Sequence, residues 1–250
     1  MIIRKSPVEL DKMRRAGAIT AATIDLVLEA VAAGASTLDL DRIAERFIRG
    51  EGAIPSFLGY KGFTGSICAS INDEIVHGIP TADRVLRDGD LVSLDFGAIW
   101  EGFHSDAAVT VFVGSPPSDD AKRLTETTEA ALDAAIAVIR PGGRLSDIGH
   151  AIEQIALAHG LGVIREYGGH GIGRALHEDP FIQNWGAAGR GPELKPGLVV
   201  AIEPMLTLGG DATEVRDDGW TVVTADGSLS AHFEHTVAVT DTGHEVLTAR

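Results

Sequence analysis

Two segments of the chain match each other at an offset of 108 residues, and both end on a carboxylate. Residues 85–95 read VLRDGDLVSLD and residues 193–203 read ELKPGLVVAIE, so that Asp95 corresponds to Glu203. Farther upstream the same offset aligns four further pairs: Gly34 with Gly142, Asp39 with Asp147, Glu45 with Glu153, and Gly52 with Gly160. This repetition predicts two structurally similar halves, each of which presents an acid at the end of an apolar strand.

Both halves are predicted to begin with two helices and to continue with strands. Ser6 and Ser36 are candidate N-caps for the first two helices. We expect the first helix to run to about Ala33 and the second to end near Gly52. In the second half, helices are predicted over about 118–139 and 145–159. Strands are predicted over 91–99, 107–113, 162–173, 198–206, 220–225 and 233–240.

Segregated helices and strands of this kind favour an α+β fold with a mainly antiparallel sheet. The tract Gly-Ser-Pro-Pro at 114–117 is a linker midway along the chain. We therefore expect a single domain over residues 1–250, with pseudo-twofold-related halves of about 1–113 and 118–250. The sheet is expected to be curved, with the helices outside.

The charge and the cysteine content restrict the partners and the compartment. A formal net charge of −15 argues against nucleic acid and against an anionic membrane, because phosphate groups are bound by clustered Lys and Arg. Cys68 is the only cysteine, which rules out an intrachain disulfide and is compatible with a reducing compartment. No segment approaches the roughly 20 apolar residues of a membrane span. We expect a soluble cytoplasmic protein.

Four acids lie in apolar strands. Alternation places Asp95 on one face of its strand, and a hairpin can return Asp106 to the same face. Glu203 and Glu234 also lie in apolar tracts, VVAIEPM and AHFEHTVAV. The alternatives are exposed acids on a sheet edge, or a buried Glu203 paired with an arginine. Recurrence of the acid in both halves favours a common site.

His170 adds a nitrogen donor to these acids. It lies in the tract YGGHGIG, whose glycines let the backbone approach closely. A lone histidine is more often a packed core residue, but the glycines and the four acids favour a ligand here. Four carboxylates and one imidazole suit two dications such as Mn, Fe(II) or Co, with Zn also possible. Two such ions can polarise a carbonyl, which indicates hydrolysis.

The chain resembles the type I methionine aminopeptidases of the pita-bread fold family. Five segments carry the resemblance: INDEIVHGIP at 71–80, LDFGAIWEGFHSD at 94–106, GGHGIGRALHEDP at 168–180, IEPML at 202–206, and WTVVTADGSLSAHFEHTVAVT at 220–240. The segments stand in the order that the family has, and the likeness as a whole covers nearly the entire chain. The resemblance implies a pita-bread fold and the removal of initiator methionine from nascent chains in which the next residue is small.

The resemblance also implies roles for individual residues. Asp95 would chelate one of two metal ions, Asp106 and Glu234 would bridge both, and His170 and Glu203 would complete the other. Glu203 would move a proton from the nucleophile to the leaving amine. His77 would hydrogen-bond the scissile amide, and His177 would contact the carbonyl oxygen as negative charge develops there.

The family's methionine pocket maps onto five residues, each of which has packing in the core as its simpler interpretation: Tyr60, Phe63, Cys68, Leu176 and Trp220. Nothing in the sequence pairs Cys68 with a base, so we do not expect a nucleophile there. Ala201 and Gly97 stand where the family often has hydroxyl residues, and their loss predicts weaker metal binding. Phe63 and Leu176 stand where tyrosine and phenylalanine are frequent, which keeps the pocket apolar and alters its fit.

Two other functions remain open from the sequence. One is a related pita-bread peptidase that cleaves X-Pro bonds, although such relatives usually carry an additional N-terminal domain. The other is a non-enzymatic binding protein on the same fold, although such proteins lose ligands and all five are present here. We expect a monomer that acts on peptides and nascent polypeptides with N-terminal methionine, with docking at the ribosome suggested by function alone.

Overall fold

The structure is a computed structural model that describes all 250 residues. It contains four α-helices, α1 (Pro7–Leu28), α2 (Thr37–Gly50), α3 (Asp119–Ala137) and α4 (Ser146–Ala158). The strands of the first half are β1 (Ile54–Pro55), β2 (Ile67–Ile71), β3 (Glu74–Val76), β4 (Leu91–Trp100) and β5 (Phe103–Phe112). A short 3₁₀-helix covers Tyr60–Gly62. None of the helices combines the length and the apolar character needed to cross a membrane.

Ten further strands follow in the second half. They are β6 (Gly162–Val163), β7 (Gly169–Gly171), β8 (Glu178–Ile182), β9 (Val199–Ile202), β10 (Met205–Thr207), β11 (Thr213–Val215), β12 (Val222–Thr224), β13 (Ser230–His232), β14 (His235–Val239) and β15 (His244–Val246). Each of the predicted segments 162–173 and 198–206 is thus divided into two short strands. Strands β8, β11, β13 and β15 were not predicted.

The predicted helix starts are confirmed by their caps, whereas one predicted helix end was wrong. The Ser6 and Ser36 side chains cap α1 and α2, each within a capping box, and Ser118 caps α3. Helix α1 ends at Leu28 and not near Ala33. The next amides, of Ala30 and Val31, bond three residues back, and the chain then turns so that Gly34 N–H reaches Leu86 O at 2.9 Å. This tertiary bond overrides the high helix propensity of the alanine-rich segment.

The strands pair antiparallel throughout, as predicted. Strand β4 pairs with β1, β2 and β5, and a five-stranded sheet has the order β15-β14-β9-β7-β8. Two three-stranded sheets, β13-β10-β6 and β11-β12-β3, complete the architecture. The central strands β4 and β9 therefore have equivalent positions, with β2 and β5 flanking β4 and with β7 and β14 flanking β9.

The offset of 108 residues recurs in the backbone hydrogen bonds. Gly34 N–H donates to Leu86 O in the first half, and Gly142 N–H donates to Leu194 O in the second, both at 2.9 Å. The φ angles of the two glycines are 94° and 84°, a conformation that favours glycine. The sequence repeat thus corresponds to a repeated turn. The boundaries of about 1–113 and 118–250 for the two halves stay a prediction.

Strands β5 and β14 join the two largest sheets. Ala108 and Glu234 exchange backbone hydrogen bonds of 3.3 and 2.9 Å. The Thr236 hydroxyl accepts from Asp106 N–H at 2.9 Å and donates to Asp106 C=O at 2.7 Å. A hydrophobic cluster of 36 buried residues, drawn from both halves, includes Ile24, Phe96 and Val237. Together these contacts fix the strands that carry the candidate ligands.

Gly97 has a packing role that the sequence did not indicate. A Cβ at this position would lie 2.7 Å from Ser56 Cβ and 3.0 Å from a ring carbon of Phe57. Ser56 N–H also donates to Gly97 O at 2.9 Å. A hydroxyl-bearing residue therefore has no room on β4 here, because the loop that carries Ser56 and Phe57 lies directly against the strand.

Candidate metal centre

The β4–β5 hairpin places Asp95 and Asp106 side by side. Asp95 pairs with Ala108 in the register, and Asp106 pairs with Gly97. The two acids are therefore diagonal neighbours on one face of the sheet, the arrangement that alternation predicted. Phe96, between Asp95 and Gly97, is fully buried on the opposite face and belongs to the main core.

The second half supplies His170, Glu203 and Glu234 from adjacent strands. His170 in β7 pairs with Ala201 in β9, and Glu203 directly follows β9. Glu234 directly precedes β14, where its backbone bonds to Ala108 of the first half. The two halves therefore meet at the acids themselves.

The candidate ligand atoms are close together. Atoms of Asp106, His170 and Glu234 all lie within 4.8 Å of one another. His170 Nε2 lies 3.8 Å from Asp106 Oδ2 and 3.6 Å from Glu203 Oε1. His170 Nδ1 is 2.9 Å from Gly171 O, and a proton on Nδ1 satisfies this carbonyl. Nε2 then has a free lone pair directed toward the acids, as a metal-binding imidazole requires.

Burial and mutual repulsion strongly disfavour the ionised acids. Burial raises the pKa of Asp95 to about 7. Burial, followed by the charges of neighbouring acids, raises the pKa values of Asp106, Glu203 and Glu234 well above their usual range. Burial lowers the pKa of His170 to about 3, which keeps the ring neutral. Such a cluster is stable in its ionised form only with cations among the carboxylates.

The residues present fit divalent metal ions. Buried oxygens of three acids have no hydrogen-bond partner, namely Asp95 Oδ1, Asp106 Oδ1 and Glu234 Oε1. The basic side chains that lie within 4 Å of these acids and of Glu203 are histidines, and no arginine or lysine pairs with them. Unpartnered carboxylate oxygens beside a neutral imidazole form an oxygen-rich donor set suited to Mn, Fe(II), Co or Zn.

A pocket of about 180 Å³ opens onto these ligands. For comparison, an engineered apolar cavity of about 150 Å³ holds benzene, so the pocket is large enough for a side chain of methionine size. All twelve residues that the sequence placed in the site line it: Tyr60, Phe63, Cys68, His77, Asp95, Asp106, His170, Leu176, His177, Glu203, Trp220 and Glu234. Phe63, Cys68 and Leu176 are buried, and they form its apolar wall.

His77 and His177 reach the pocket from two loops. His77 has a φ of 61°, an uncommon conformation outside glycine that is often found at functional sites. Its pKa is lowered to about 4 by burial. His177 Nδ1 lies 2.9 Å from the Tyr60 hydroxyl, and its ring centroid is 4.2 Å from that of His170. Loss of surrounding water, followed by the charge of Lys61, lowers the pKa of His177.

Four residues near the site were not predicted. Phe57 and Lys61 line the pocket, His232 lies against the acids, and the Thr236 hydroxyl holds the Asp106 backbone. His232 could have been found, because it stands two residues before Glu234 and alternation gives both the same face. Thr236 carried no signal, because its partner Asp106 lies 130 residues away in the sequence.

Comparison with known proteins gives consistent matches. Residues 11–241 match the metallopeptidase family M24. Methionine aminopeptidase 1 of Mycobacterium tuberculosis is 54% identical over 99% of this chain and 95% of its own length. Methionine aminopeptidase 1 of Bacillus subtilis is 52% identical over 99% of both chains. The crystal structure of methionine aminopeptidase from Thermotoga maritima superposes with a TM-score of 0.98 at 42% identity, covering 100% of each chain.

Proposed function

The chain belongs to metallopeptidase family M24, and from this we propose that Asp95, Asp106, His170, Glu203 and Glu234 hold the metal of an aminopeptidase. The activity is hydrolysis of the peptide bond that follows an N-terminal methionine. The pita-bread fold that the resemblance implied is confirmed by the full-length superposition. The observation that carries the site assignment is the group of acids beside His170 Nε2, in which Asp95, Asp106 and Glu234 each have a buried oxygen without a hydrogen-bond partner.

We propose that the site takes two divalent ions. Four carboxylates supply more oxygen donors than one ion needs, and two dications would balance their four negative charges. Asp95 would hold one ion, His170 and Glu203 the other, and Asp106 and Glu234 both. The donor set is compatible with Co, Mn, Fe(II) and Zn. When bound, such ions polarise a carbonyl and make water more acidic.

The polar side chains of the pocket have distinct proposed roles. If Tyr60 donates its hydroxyl proton to His177 Nδ1, the remaining ring proton lies on Nε2 and can be donated to the carbonyl oxygen of the substrate. His77 would hydrogen-bond the scissile amide. Glu203, whose carboxylate lies beside the other acids, would carry the proton to the leaving amine.

The apolar wall is proposed to hold the methionine side chain. Phe63, Cys68 and Leu176 are buried, while Tyr60 and Trp220 are partly exposed at its edge. The Phe63 and Trp220 rings meet edge to face with centroids 5.1 Å apart. A flexible thioether packs well against aromatic edges. The free amino group of the substrate would then face the carboxylates, which restricts cleavage to the N-terminus.

We also propose that nascent polypeptides with a small second residue are the substrates, and that the enzyme acts in the cytoplasm as a monomer. The formal net charge of −15 and the single free thiol, which precludes an intrachain disulfide, support the cytoplasmic setting. Association with the ribosome follows from the substrate alone. Sedimentation of the metal-loaded enzyme tests two of these proposals. A dimeric species would contradict the monomer, and complete exclusion from added ribosomes would contradict the ribosome association.

The assignment is tested with the peptide Met-Ala-Ser and with an X-Pro peptide, each with and without a chelator. We expect release of methionine from Met-Ala-Ser, loss of this activity on chelation, and no cleavage of the X-Pro peptide.

Asp106→Asn should reduce turnover by at least about a hundredfold. Loss of a residue that only orients a metal ligand commonly costs about 10–100-fold, and loss of a ligand itself should cost more. The exposed Asp241→Asn is the matched control and should retain parental turnover. Comparable activity in Asp106→Asn and the parent would exclude this metal centre.

A further inference from the structure

His232 is a buried imidazole that has no hydrogen-bond partner. Its exposed fraction is 1%, and both Nδ1 and Nε2 lack partners. A buried polar group without a hydrogen bond is destabilising, so a histidine in this position calls for a reason beyond packing. None of the roles described above uses His232.

The backbone of His232 is fixed on both sides. Its N–H donates to the Thr110 hydroxyl at 2.9 Å, and the same hydroxyl donates to its C=O at 2.6 Å. In addition, His232 pairs with Met205 in the register of β13 and β10. These contacts fix the His232 backbone relative to β5, the strand that also carries Asp106.

The ring is directed at two of the proposed ligands. His232 Nε2 lies 3.7 Å from Glu203 Oε2 and 3.9 Å from Glu234 Oε2. On the opposite side, His170 Nε2 lies 3.6 Å from Glu203 Oε1. The carboxylate of Glu203 thus stands between two imidazoles, one that is a candidate ligand and one that is not assigned a role.

We propose that His232 is a positioning residue that donates a hydrogen bond from Nε2 to Glu203 and Glu234 and holds both carboxylates in their metal-binding orientation. The proposal rests on the metal centre of the proposed function. A carboxylate can only accept and a neutral imidazole has one N–H, so the pairing is complementary. Both separations are longer than a hydrogen bond, so the proposal requires the two carboxylates to move closer to Nε2 and to share its N–H when they bind metal.

His232 lies outside the innermost group of ligand atoms. The atoms that lie within 4.8 Å of one another belong to Asp106, His170 and Glu234 and not to His232. Asp95 and Glu203 also lie outside that group, so the distinction rests on Asp106: His170 Nε2 lies 3.8 Å from Asp106 Oδ2, whereas the acids near His232 Nε2 are Glu203 and Glu234. A histidine that acts through these two acids, and not by contact with metal, accounts for this placement. Outer partners of this kind orient ligands and raise metal affinity, commonly by about 10–100-fold.

Three substitutions test the proposal by titration of metal-free protein with Mn²⁺ in a calorimeter. His232→Leu removes the donor, His232→Gln keeps an amide N–H near the position of Nε2, and His232→Asn moves the amide toward the position of Nδ1. We expect the Leu and Asn variants to bind Mn²⁺ about 10–100-fold more weakly, and the Gln variant to bind within about threefold of the parent. His150→Leu, whose ring bonds to Gly186 O, is the control and should bind as the parent does.

The outcomes separate the competing explanations. A role confined to packing would lower the thermal midpoint of metal-free protein while leaving Mn²⁺ affinity unchanged, and would overturn the proposal. Equal losses in the Gln and Leu variants would show that an N–H donor at this position does not hold the acids, and would also overturn it. If the parent protein binds no Mn²⁺, the metal centre itself is refuted. If the parent and all His232 variants bind Mn²⁺ equally well, only the role of His232 is refuted.

Discussion

His177 lies where the pocket meets solvent, and two neighbours determine its chemistry. Its ring stacks on Tyr60 with centroids 5.4 Å apart, and Nδ1 is 2.9 Å from the Tyr60 hydroxyl. Lys61 is exposed beside them, with Nζ 5.3 Å from the Tyr60 ring centroid. Loss of water and the charge of Lys61 both lower the pKa of His177, so that the neutral ring predominates near neutral pH.

Lys61→Met should raise the pKa of His177, because a positive charge near the ring is removed. We expect an increase of less than about one pH unit, since solvent screens an exposed charge. The His177 ring proton signals in an NMR titration report this pKa directly, and the acid limb of kcat/KM should move in the same direction. Lys122→Met, on the exposed face of α3, should change neither quantity. An unshifted His177 titration would show that Lys61 does not act on this ring.

Individual candidate ligands could be proposed from the sequence because a carboxylate within an apolar strand is costly without a partner. That argument singled out Asp95 and Glu203, and the sequence repeat linked them. It did not extend to Lys61 or Phe57, which enter the pocket through a loop whose path depends on tertiary contacts. Periodicity arguments apply to regular elements and give no direction for loop side chains.

At the scale of elements, the pairing of β5 with β14 holds the site together. Thr236 is fully buried, and its hydroxyl both accepts from and donates to the Asp106 backbone at 2.9 and 2.7 Å. Ala201, next to Thr236 in the register, has no hydroxyl. The hydroxyl that supports Asp106 is thus supplied by β14.

Thr236→Val should destabilise the protein by about 1–3 kcal/mol, because it leaves two buried backbone groups of Asp106 without a partner at nearly constant side-chain volume. Metal affinity should fall as well, since Asp106 loses its fixed position. Thr236→Ser keeps the hydroxyl and should lie close to the parent in both respects. Urea denaturation and Mn²⁺ titration measure the two effects. Equal stability of the Val and Ser variants would mean that the hydroxyl contributes nothing.

Elements with strong local signals were predicted well, and short strands were not. The predicted serine caps located two helix starts, those of α1 and α2. Strands β11 and β15 have three residues each, and pairing with a distant strand defines them more than their own composition does. The end of α1 was misplaced for a related reason, because a bond from Gly34 to Leu86 lies outside the reach of local patterns.

The whole molecule buries acids and histidines together, and these respond to pH in opposite directions. Burial raises the pKa of Asp95 to about 7, and it lowers the pKa of His77 to about 4 and of His170 to about 3. An acid with a raised pKa stabilises the fold at low pH and loses that contribution as pH rises through its folded pKa. A histidine with a lowered pKa stabilises the fold above its unfolded pKa and loses that contribution as pH falls.

The metal-free protein should therefore become more stable as pH falls from about 8.5 to about 7, where folded acids take up protons and unfolded histidines remain mostly neutral. Below about pH 6.5 the histidines should oppose this gain. The thermal midpoint in the presence of a chelator measures the effect, at about 2–4 °C for each kcal/mol. Saturating Mn²⁺ should abolish the gain, because bound cations keep the acids ionised. If the thermal midpoint of the metal-free protein decreases as the pH is lowered from about 8.5 to about 7, the raised pKa values of the buried acids would be contradicted.

Asp95 and Asp106 precede the linker at 114–117, whereas His170, Glu203 and Glu234 follow it, and Glu234 bonds directly to Ala108. During synthesis the proposed metal centre would therefore be completed in one late step, when the ribosome has released the segment that contains Glu234. Abortive translation products that stop short of it hold only part of the proposed ligand set. We therefore expect such fragments to have no peptidase activity, however well their first half folds.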